Sequence, residues 1–398
     1  MGARQGRLGE VVDPARAHAA LVETLRATGC GPAVLQAFAD VPRHLFLPDH
    51  PVAVAYADDA VPTRIVDGAA TSSASQPSMM AIMLEQLAVR PGHRVLEIGA
   101  GTGYNAALLT RLGARVTSID IDAELVGTAA RHLAAAGVEG VDLRTGDGAL
   151  GVPDAAPFDR IVLTVGSWDV RPEWIAQLAP GGRLLLPLTV RGSQLSVAFD
   201  LGPDGVLRSD SVRGCAFIRL QGLGAGPEVV EEVRPGWSAQ VPEGTSPDLR
   251  LVARWLDEPG TASPLGERID QADVWDGLGL WLMLTAPGTI RVITSETAAP
   301  PGSWLVPTLR GAASVVLTGP DGCAALVADP PGIRGFGPGG DAAAARLAGC
   351  VRGWREAGRP HAPDLRILAV PAGAELPGAG AVVEKEFSRL VVAPRVRV

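Results

Sequence analysis

The stretch at residues 93–112, HRVLEIGAGTGYNAALLTRL, limits the possible fold more than any other part of this chain. An apolar run at 95–98 leads into a glycine turn at 99–103, and a helix-like pattern follows until Gly113. Glycines at this spacing let the backbone turn sharply and approach a ligand closely, and the helix offers unpaired N–H groups at its start. The stretch therefore predicts a strand, a tight turn and a helix beside a ligand.

The glycine spacing and the next strand indicate which ligand binds there. The spacing is GxGxG, whereas dinucleotide sites use GxGxxG and phosphate loops end in GK[ST], so a bound pyrophosphate is not expected. A short strand at 115–119 ends in Asp120, where a doubly wound fold places a carboxylate that binds ribose hydroxyls. With Glu97 before the glycines, the pattern resembles the S-adenosylmethionine site of class I methyltransferases. A turn that only connects a strand to a helix is the alternative, and it would suit a lone GxG.

Motifs on the N-terminal side narrow the family. VPRHLFLP at 41–48 and YAD at 56–58, followed by Ser75-Gln76-Pro77, resemble the N-terminal segment of protein-L-isoaspartate O-methyltransferases. The resemblance implies an α/β fold of the class I S-adenosylmethionine-dependent methyltransferases. Such a fold has a Rossmann-like doubly wound sheet, here with an N-terminal helical segment and a C-terminal α/β or α+β accessory domain.

Ser75 is the predicted catalytic residue. From the residues alone it suits a helix N-cap, because Pro77 fits the first helical turn. In the isoaspartyl family a Ser-Gln-Pro at this place puts a serine hydroxyl beside the methyl acceptor, and both roles are compatible. The resemblance also implies substrate contacts for Ser73, Gln76 and Thr164. The hydroxyl-rich TSSA at 71–74 replaces the family's usual residues before the serine, which leaves the choice of substrate open.

The cofactor contacts follow from the same resemblance. Gly146-Asp147-Gly148 is similar to the family's GDG turn, where the acid lies close to the adenine amino group, although Asp147 alone would be typical of an ordinary turn. S-adenosyl-L-methionine is the expected methyl donor and S-adenosyl-L-homocysteine the product. The implied cofactor-binding residues are Glu97, Gly99, Gly101, Thr102, Gly103, Asp120, Asp147 and Gly148.

The strand expected at 158–164 bears on the methyl acceptor. Methyltransferases acting on amines often carry (N/D)PPY after this strand, but here the residues at 164–167 are TVGS, so an amine acceptor is not expected. A carboxylate is already ionised at neutral pH and needs alignment with the methyl group, not a strong base. This agrees with the lack of a His or Cys catalytic pattern. The resulting methyl ester can be attacked by the following backbone nitrogen, which closes a succinimide.

Composition limits the partners. The formal net charge of −8 argues against tight binding to DNA or RNA, because the attraction to phosphates would be missing. No apolar run approaches the roughly 20 residues that span a membrane, and the N-terminus lacks a secretory core, so a cytoplasmic location is expected. Four scattered cysteines without CxxC and six histidines without HExxH predict no metal site.

The length of 398 residues predicts two domains, and the resemblance, which covers roughly residues 40–220, implies their division. The expected parts are an N-terminal helical cap at 1–60, a methyltransferase core at 61–221, and a C-terminal accessory, substrate-recognition domain at 228–398. Helices are expected at 13–40 and 123–136. Further helices are expected in the C-terminal part at 247–257 and 342–357, with strands at 289–293, 314–318, 324–328, 365–370 and 389–392.

Three functions are compatible with the sequence. The preferred hypothesis is methylation of an Asp side chain in a ribosomally made, macrocyclic peptide, giving an ester that closes to aspartimide, because a large extra domain suits recognition of one folded peptide. The alternative is repair of isoaspartyl residues in damaged proteins. A non-catalytic binding protein with a methyltransferase fold is disfavoured by the complete set of glycines and acids.

Overall fold

The computed structural model describes residues 12–227, 230–242, 245–266, 268–295, 304–308 and 311–395. Its helices are α1 Pro14–Ala27, α2 Pro32–Asp40, α3 Val52–Ala55, α4 Pro77–Leu87, α5 Tyr104–Arg111, α6 Ala123–Ala135, α7 Pro172–Ala176, α8 Leu249–Asp257, α9 Gln271–Trp275, α10 Leu278–Thr285 and α11 Gly340–Glu356. Its strands in the first half are β1 Val61–Val66, β2 Ala69–Ala74, β3 Arg94–Ile98, β4 Arg115–Asp120, β5 Asp142–Thr145, β6 Phe158–Leu163, β7 Leu178–Val190, β8 Ser193–Leu201 and β9 Leu207–Gly214. Its later strands are β10 Val230–Arg234, β11 Trp237–Gln240, β12 Thr261–Pro264, β13 Thr289–Thr294, β14 Val306–Thr308, β15 Gly311–Thr318, β16 Cys323–Ala328, β17 Pro331–Phe336, β18 Leu365–Pro371, β19 Ala381–Glu384 and β20 Ser388–Pro394.

A ten-stranded sheet forms the centre of the molecule, in the order β19-β20-β18-β9-β8-β7-β6-β3-β4-β5. The strands β5, β4, β3, β6 and β7 are parallel, and the remaining pairs are antiparallel. Strand order reverses at β3, where a doubly wound fold binds its ligand beyond the carboxyl ends of the strands. The predicted strand, turn and helix at 93–112 are confirmed, and the sheet has the predicted α/β class.

Alternate residues of β3 pack on opposite faces of this sheet, as the two-residue period of a strand requires. Val95 belongs to a buried cluster that includes residues of α1, α2, α4 and α5. Leu96 and Ile98 belong to a second cluster, with Trp174 and with side chains of β7 and β8. Both faces of β3 are therefore covered, and its ligand end lies inside the protein.

The segment after residue 230 contributes to two sheets. Its strands form an eight-stranded sheet in the order β10-β11-β13-β15-β16-β17-β12, with β14 paired to β15. The last three strands instead extend the central sheet, since β18 pairs with β9 through Leu368 opposite Arg208 and Ala369 opposite Leu207. The division at 60, 221 and 228 stays a prediction, and residues 1–11 and 228–229 lie outside the described residues.

A buried arginine connects the two sheets. Arg291 on β13 is fully buried, and its guanidinium donates to Ser193 Oγ on β8 at 2.9 Å, Gln240 Oε1 at 2.6 Å and the Val274 carbonyl at 3.0 Å. Burial lowers the pKa of this guanidinium to about 9. The contact fixes the second sheet against the central one through the buried Arg291 and Ser193.

A second buried arginine joins the N-terminal segments to the hairpin of β1 and β2. The guanidinium of Arg43 has no exposed surface and donates to five main-chain carbonyls, at 2.8 to 3.4 Å, those of Ala55, Ala57, Asp59, Ala74 and Ser75. Desolvation lowers the pKa of Arg43. Five acceptors converging on one cation fix the end of β2 relative to the segment at 55–59.

Three further predictions can be compared with the structure. Within the described residues, no helix is long and apolar enough to cross a membrane. The predicted helices at 13–40 correspond to α1 and α2, and those at 247–257 and 342–357 to α8 and α11. The residues at 178–187 predict the end of a helix, a turn and a strand. The helix end is wrong, because β7 already begins at Leu178 and α7 stops at Ala176.

Replacing Arg43 tests how much stability its contacts supply. Arg43→Met should lower the free energy of unfolding by about 3 kcal/mol or more, since buried carbonyls lose their donor and each unmet polar group costs about 1–3 kcal/mol. Urea denaturation measures the difference. The control is Arg111→Met, because Arg111 is 58% exposed and pairs with Asp40 at the surface, where such a pair contributes about 1 kcal/mol or less. Equal losses in the two variants would contradict the assignment.

Candidate active site

A cavity of about 310 Å³ lies at the carboxyl ends of β3, β4 and β6. Nine of the twelve residues predicted for the site line it: Ser73, Ser75, Glu97, Gly99, Gly101, Thr102, Asp120, Gly148 and Thr164. The other three, Gln76, Gly103 and Asp147, are next to lining residues in the chain but are not themselves in the lining. The structure thus brings together residues from five separate stretches of the sequence.

Two positions of the glycine turn disfavour any residue other than glycine. Gly99 has φ 103°, and a Cβ there would lie 2.6 Å from Thr164 Oγ1, the hydroxyl that donates to the Gly99 carbonyl at 2.6 Å. Gly103 has φ 85° and is the residue from which α5 starts. Both positions need glycine because the left-handed conformation is strained for other residues. The turn brings bare main chain to the cavity, as a closely held ligand requires.

Glu97 is a fully buried carboxylate in the cavity wall. Asn105 Nδ2 donates to its Oε1 at 2.8 Å, and Ser118 Oγ, on the neighbouring position of β4, donates to its Oε2 at 2.5 Å. Burial raises the pKa of Glu97 to about 7, and the two hydrogen bonds oppose the rise. The buried carboxylate of Glu97 is suited to a cationic ligand, whose charge would favour its ionised form.

Asp120 lies at the end of β4 and faces the same cavity. Its Oδ2 accepts from the Gly101 amide at 3.0 Å and its Oδ1 from the Asp122 amide at 3.2 Å. Burial is the largest influence on Asp120 and raises its pKa, and the backbone hydrogen bonds oppose this. The carboxylate is thus held rigidly against the glycine turn, with capacity left to accept hydrogen bonds from hydroxyls.

Asp147 does not line the cavity, unlike the other two predicted acids, Glu97 and Asp120. Its Oδ1 accepts from the Ala149 amide at 2.9 Å, and its Oδ2 accepts from the Leu223 amide at 2.8 Å. The side chain thus fixes the turn at Gly222–Gly224 against the one at 148–150. Gly148, not Asp147, lines the cavity, and a Cβ on Gly148 would lie 2.4 Å from a methyl carbon of Ile98.

The predicted N-cap role of Ser75 is wrong. Helix α4 starts at Pro77, so Gln76 takes the N-cap position, and its side chain makes no capping bond. The side-chain oxygen that caps the helix belongs instead to Asp58 of the YAD motif, whose Oδ1 accepts a hydrogen bond from the Ser78 amide at 2.8 Å. Gln76 is exposed and donates to the other oxygen of Asp58 at 3.3 Å. Ser75 is therefore not needed for capping and lines the cavity.

The hairpin of β1 and β2 forms another wall that the sequence analysis missed. Asp67 and Gly68 connect its strands with φ of 50° and 79°, the conformation of a tight two-residue hairpin turn. Pairing skips Thr63 and Thr71, so each strand bulges by one residue. Arg64 forms an ion pair with Asp122, directly beyond the end of β4. The hairpin is thus held over the cavity. The sequence feature that could have predicted it is the Asp67-Gly68 pair between two short runs.

Arg43 is another part of the site to which the sequence analysis gave no role. Its Nη2 donates to the Ser75 carbonyl at 3.0 Å and to the Ala74 carbonyl at 3.4 Å. The arginine of VPRHLFLP thereby sets the backbone of the predicted catalytic serine from a distance of 32 residues in the chain. The motif was recognised as a family feature, but nothing local shows where its guanidinium points.

The chemistry open to this cavity is limited by its side chains. Among the described residues that line it, none is histidine or cysteine. The carboxylates of Glu97 and Asp120, a glycine turn and several hydroxyls are suited to holding a cationic nucleoside ligand beside a second ligand that is bound by hydrogen bonds. Such a site acts by alignment, provided that the transferred group is already activated.

Comparison with known proteins agrees with this geometry. The family model described as "Protein-L-isoaspartate(D-aspartate) O-methyltransferase (PCMT)" matches residues 16–224, more than half of the chain. Protein-L-isoaspartate O-methyltransferase 1 of Anaeromyxobacter sp. (strain Fw109-5) is 45% identical over 193 residues, which are 48% of this chain and 89% of that protein. The protein-L-isoaspartate O-methyltransferase of Anaeromyxobacter dehalogenans (strain 2CP-C) is 42% identical over 48% of this chain and 90% of its own length.

A solved structure shows the same fold. A protein-L-isoaspartate O-methyltransferase aligns with a TM-score of 0.52 and 23% sequence identity, over 95% of this chain and the whole of that one. The predicted fold class is confirmed. The chain belongs to the protein-L-isoaspartate(D-aspartate) O-methyltransferase family, and it is a protein carboxyl O-methyltransferase that uses S-adenosylmethionine.

Proposed function

We propose that this enzyme methylates the free carboxylate of L-isoaspartyl residues in damaged proteins and peptides. The observation that carries the proposal is the position of Ser75. Its main chain is fixed by the buried Arg43, and it lines one cavity with the glycine turn and Asp120. A hydroxyl beside the cofactor site is suited to an acceptor carboxylate, since a hydroxyl donates a short hydrogen bond to an ionised oxygen.

The cofactor end of the cavity has the residues that the donor needs. S-adenosylmethionine supplies a methyl group on a positively charged sulfur, which makes the group ready for transfer. In our proposal Asp120 accepts from the ribose hydroxyls, Glu97 faces the positive charge, and the main chain of Gly99, Gly101, Thr102 and Gly103 lies against the ligand. Gly148 packs at the adenine end. Asp147 acts there indirectly, by holding the turn beside it.

The acceptor end needs no base. An isoaspartyl carboxylate is ionised at neutral pH, so its oxygen is a nucleophile without proton removal. Ser75 and Ser73 orient it, and Thr164 steadies the turn of Gly99 from the other side. Gln76 is exposed at the start of α4, where it can contact the substrate chain. The product ester can then close to a succinimide by attack of the following backbone nitrogen.

The preference for a ribosomally made, macrocyclic peptide gains no support from the relatives. Those that match half of this chain are named for L-isoaspartate, and the repair alternative is the better supported of the two. Formation of aspartimide in such a precursor peptide therefore becomes an outcome of the test below. A non-catalytic role is disfavoured because the chain belongs to an enzyme family.

Mass spectrometry of three substrates separates these functions. A linear peptide with isoaspartate, the same peptide with aspartate, and a macrocyclic aspartyl peptide are each incubated with the enzyme and S-adenosylmethionine. We expect one methyl group on the isoaspartyl peptide, followed by loss of methanol, and no change in the aspartyl one. Methylation of the macrocycle alone would overturn the proposal in favour of peptide tailoring.

Ser75→Ala tests the acceptor role. Loss of one hydrogen bond to an ionised group should lower kcat/KM for the isoaspartyl peptide roughly 10- to 100-fold. The dissociation constant for S-adenosylmethionine, measured by calorimetry, should stay within about twofold, because the cofactor contacts remain. Ser78→Ala is the matched control, since its hydroxyl is on α4 outside the lining. An equal loss of cofactor binding and turnover in Ser75→Ala would contradict the role.

Asp120→Asn tests the cofactor end. Replacing a charged acceptor should weaken S-adenosylmethionine binding roughly 10- to 100-fold. The exposed Asp154→Asn should leave it unchanged. An unchanged dissociation constant for Asp120→Asn would remove the ribose assignment.

Glu97 predicts a pH dependence of cofactor binding. Its pKa of about 7 means that the carboxylate is mostly ionised at pH 8 and mostly protonated at pH 6. Only the ionised form attracts a cation, so affinity for S-adenosylmethionine should fall about tenfold from pH 8 to pH 6. Glu97→Gln removes this titration but leaves that of the ligand's own amino group. Calorimetry on both proteins isolates the difference, and parallel pH profiles would contradict the role of Glu97.

A further inference from the structure

The turn at residues 385–388, between β19 and β20, lies against a loop of the active site. That loop, residues 164–171, follows β6 and begins with two residues that line the cavity, Thr164 and Val165. The turn belongs to the part of the chain beyond the residues that the family model matches. An element outside the matched family region therefore contacts a loop inside it.

Asp169 makes the contact through both carboxylate oxygens. It is 5% exposed, and its Oδ2 accepts from the Phe387 amide at 2.6 Å. Its Oδ1 accepts from the Ser388 hydroxyl at 2.6 Å and from the Val170 amide at 2.6 Å. The carboxylate would be costly to bury without these donors, so the turn and the loop hold each other in place.

Hydrogen bonds connect this loop to the cavity wall. Gly166 donates to the Ile218 carbonyl at 2.7 Å and accepts from the Leu220 amide at 2.8 Å, and both partners line the cavity. Thr164 bonds to Gly99 in the glycine turn. A displacement of residue 169 would therefore move the part of the cavity wall at Thr164, which is predicted to contact the substrate and which we call the acceptor wall.

A second connection runs from the same turn to the cofactor end. The Arg171 guanidinium carbon lies 4.7 Å from the centre of the Phe387 ring. The same guanidinium donates to the Ala149 carbonyl at 3.1 Å and to the Leu223 carbonyl at 3.3 Å. These carbonyls belong to the two turns that Asp147 holds together. The ring of Phe387 thus supports an arginine that fixes the wall beside Gly148.

We propose that the turn at 385–388 is a positioning element of the active site, with two separable effects. Ser388 and the Phe387 amide act through Asp169 on the acceptor wall, and the Phe387 ring acts through Arg171 on the cofactor wall. This inference rests on the proposed function for the identity of the two walls. The C-terminal strands then serve methyl transfer directly, in addition to any contact with substrate.

The first test separates positioning from simple attachment. Ser388→Ala should lower kcat/KM for the isoaspartyl peptide about tenfold, as expected for a lost charge-assisted bond, and leave S-adenosylmethionine affinity within about twofold. Ser388→Thr keeps the hydroxyl and should restore activity. Kinetics are measured well below the melting temperature of each variant, so that a loss of stability alone does not change them. Glu386→Gln, exposed in the same turn, is the control.

The second test addresses the cofactor wall. Phe387→Leu keeps apolar bulk but removes the aromatic face, so S-adenosylmethionine should bind about threefold to tenfold more weakly by calorimetry without peptide present. Its KM for peptide at saturating cofactor should stay near wild type. This binding measurement does not depend on which peptide the enzyme methylates, and therefore a failure of the proposed substrate would show separately, as inactive wild-type enzyme.

Two results would overturn the inference. One is wild-type kinetics and cofactor affinity in folded Ser388→Ala and Phe387→Leu enzymes, which would make the turn a docking contact only. The other is an identical loss of both properties in the two variants, which would mean that the turn has one undivided structural effect. If Ser388→Ala does not fold, Asp169→Asn gives the same comparison from the loop side.

Discussion

The active site depends on one buried cation. Arg43 donates to five carbonyls, and the last of them, that of Ser75, lies 32 positions away from it in the chain. A guanidinium has several donors in a fixed plane, so it can orient more than one strand of backbone at once. Lysine, with a single ammonium group, could not hold this set. The hairpin and the start of α4 are thereby placed over the glycine turn before any ligand binds.

The local patterns of the sequence predicted the parallel half of the sheet well. Strand β3, the turn at Gly99 and helix α5 follow from a glycine spacing and a change of period within 20 residues. Asp120 followed from its place at the end of β4. These features depend on neighbours in the chain, which is why they could be read without a structure. Glu97 was also found, but its raised pKa results from burial, and the two residues that oppose the rise, Asn105 and Ser118, are brought to it only by folding.

The errors arose where distant groups compete for the same role. Ser75 had the right residue type for a cap, yet Asp58 reaches the Ser78 amide across 20 positions, and helix α4 starts one residue later than expected. The cofactor contact of Asp147, implied by the resemblance, stays a prediction, and its hydrogen bond from the Leu223 amide across 76 positions is one that no local pattern indicates. The hairpin of β1 and β2 was missed for another reason. Its Asp-Gly turn was present in the sequence, but its strands are too polar to show a clear alternation.

The C-terminal strands show why a chain of this kind is hard to divide by sequence. The positions of β18 and β20 were predicted from apolar runs, whereas β19 was not predicted. Which sheet these strands join is decided by pairing between β18 and β9, about 160 residues apart. Without β18, strand β9 would be the edge of the central sheet, and an unpaired edge invites association with other chains. Covering that edge brings β19 and β20 next to the loop after β6, where Asp169 needs donors. Protection of the edge and support of the active-site loop thus come from the same three strands.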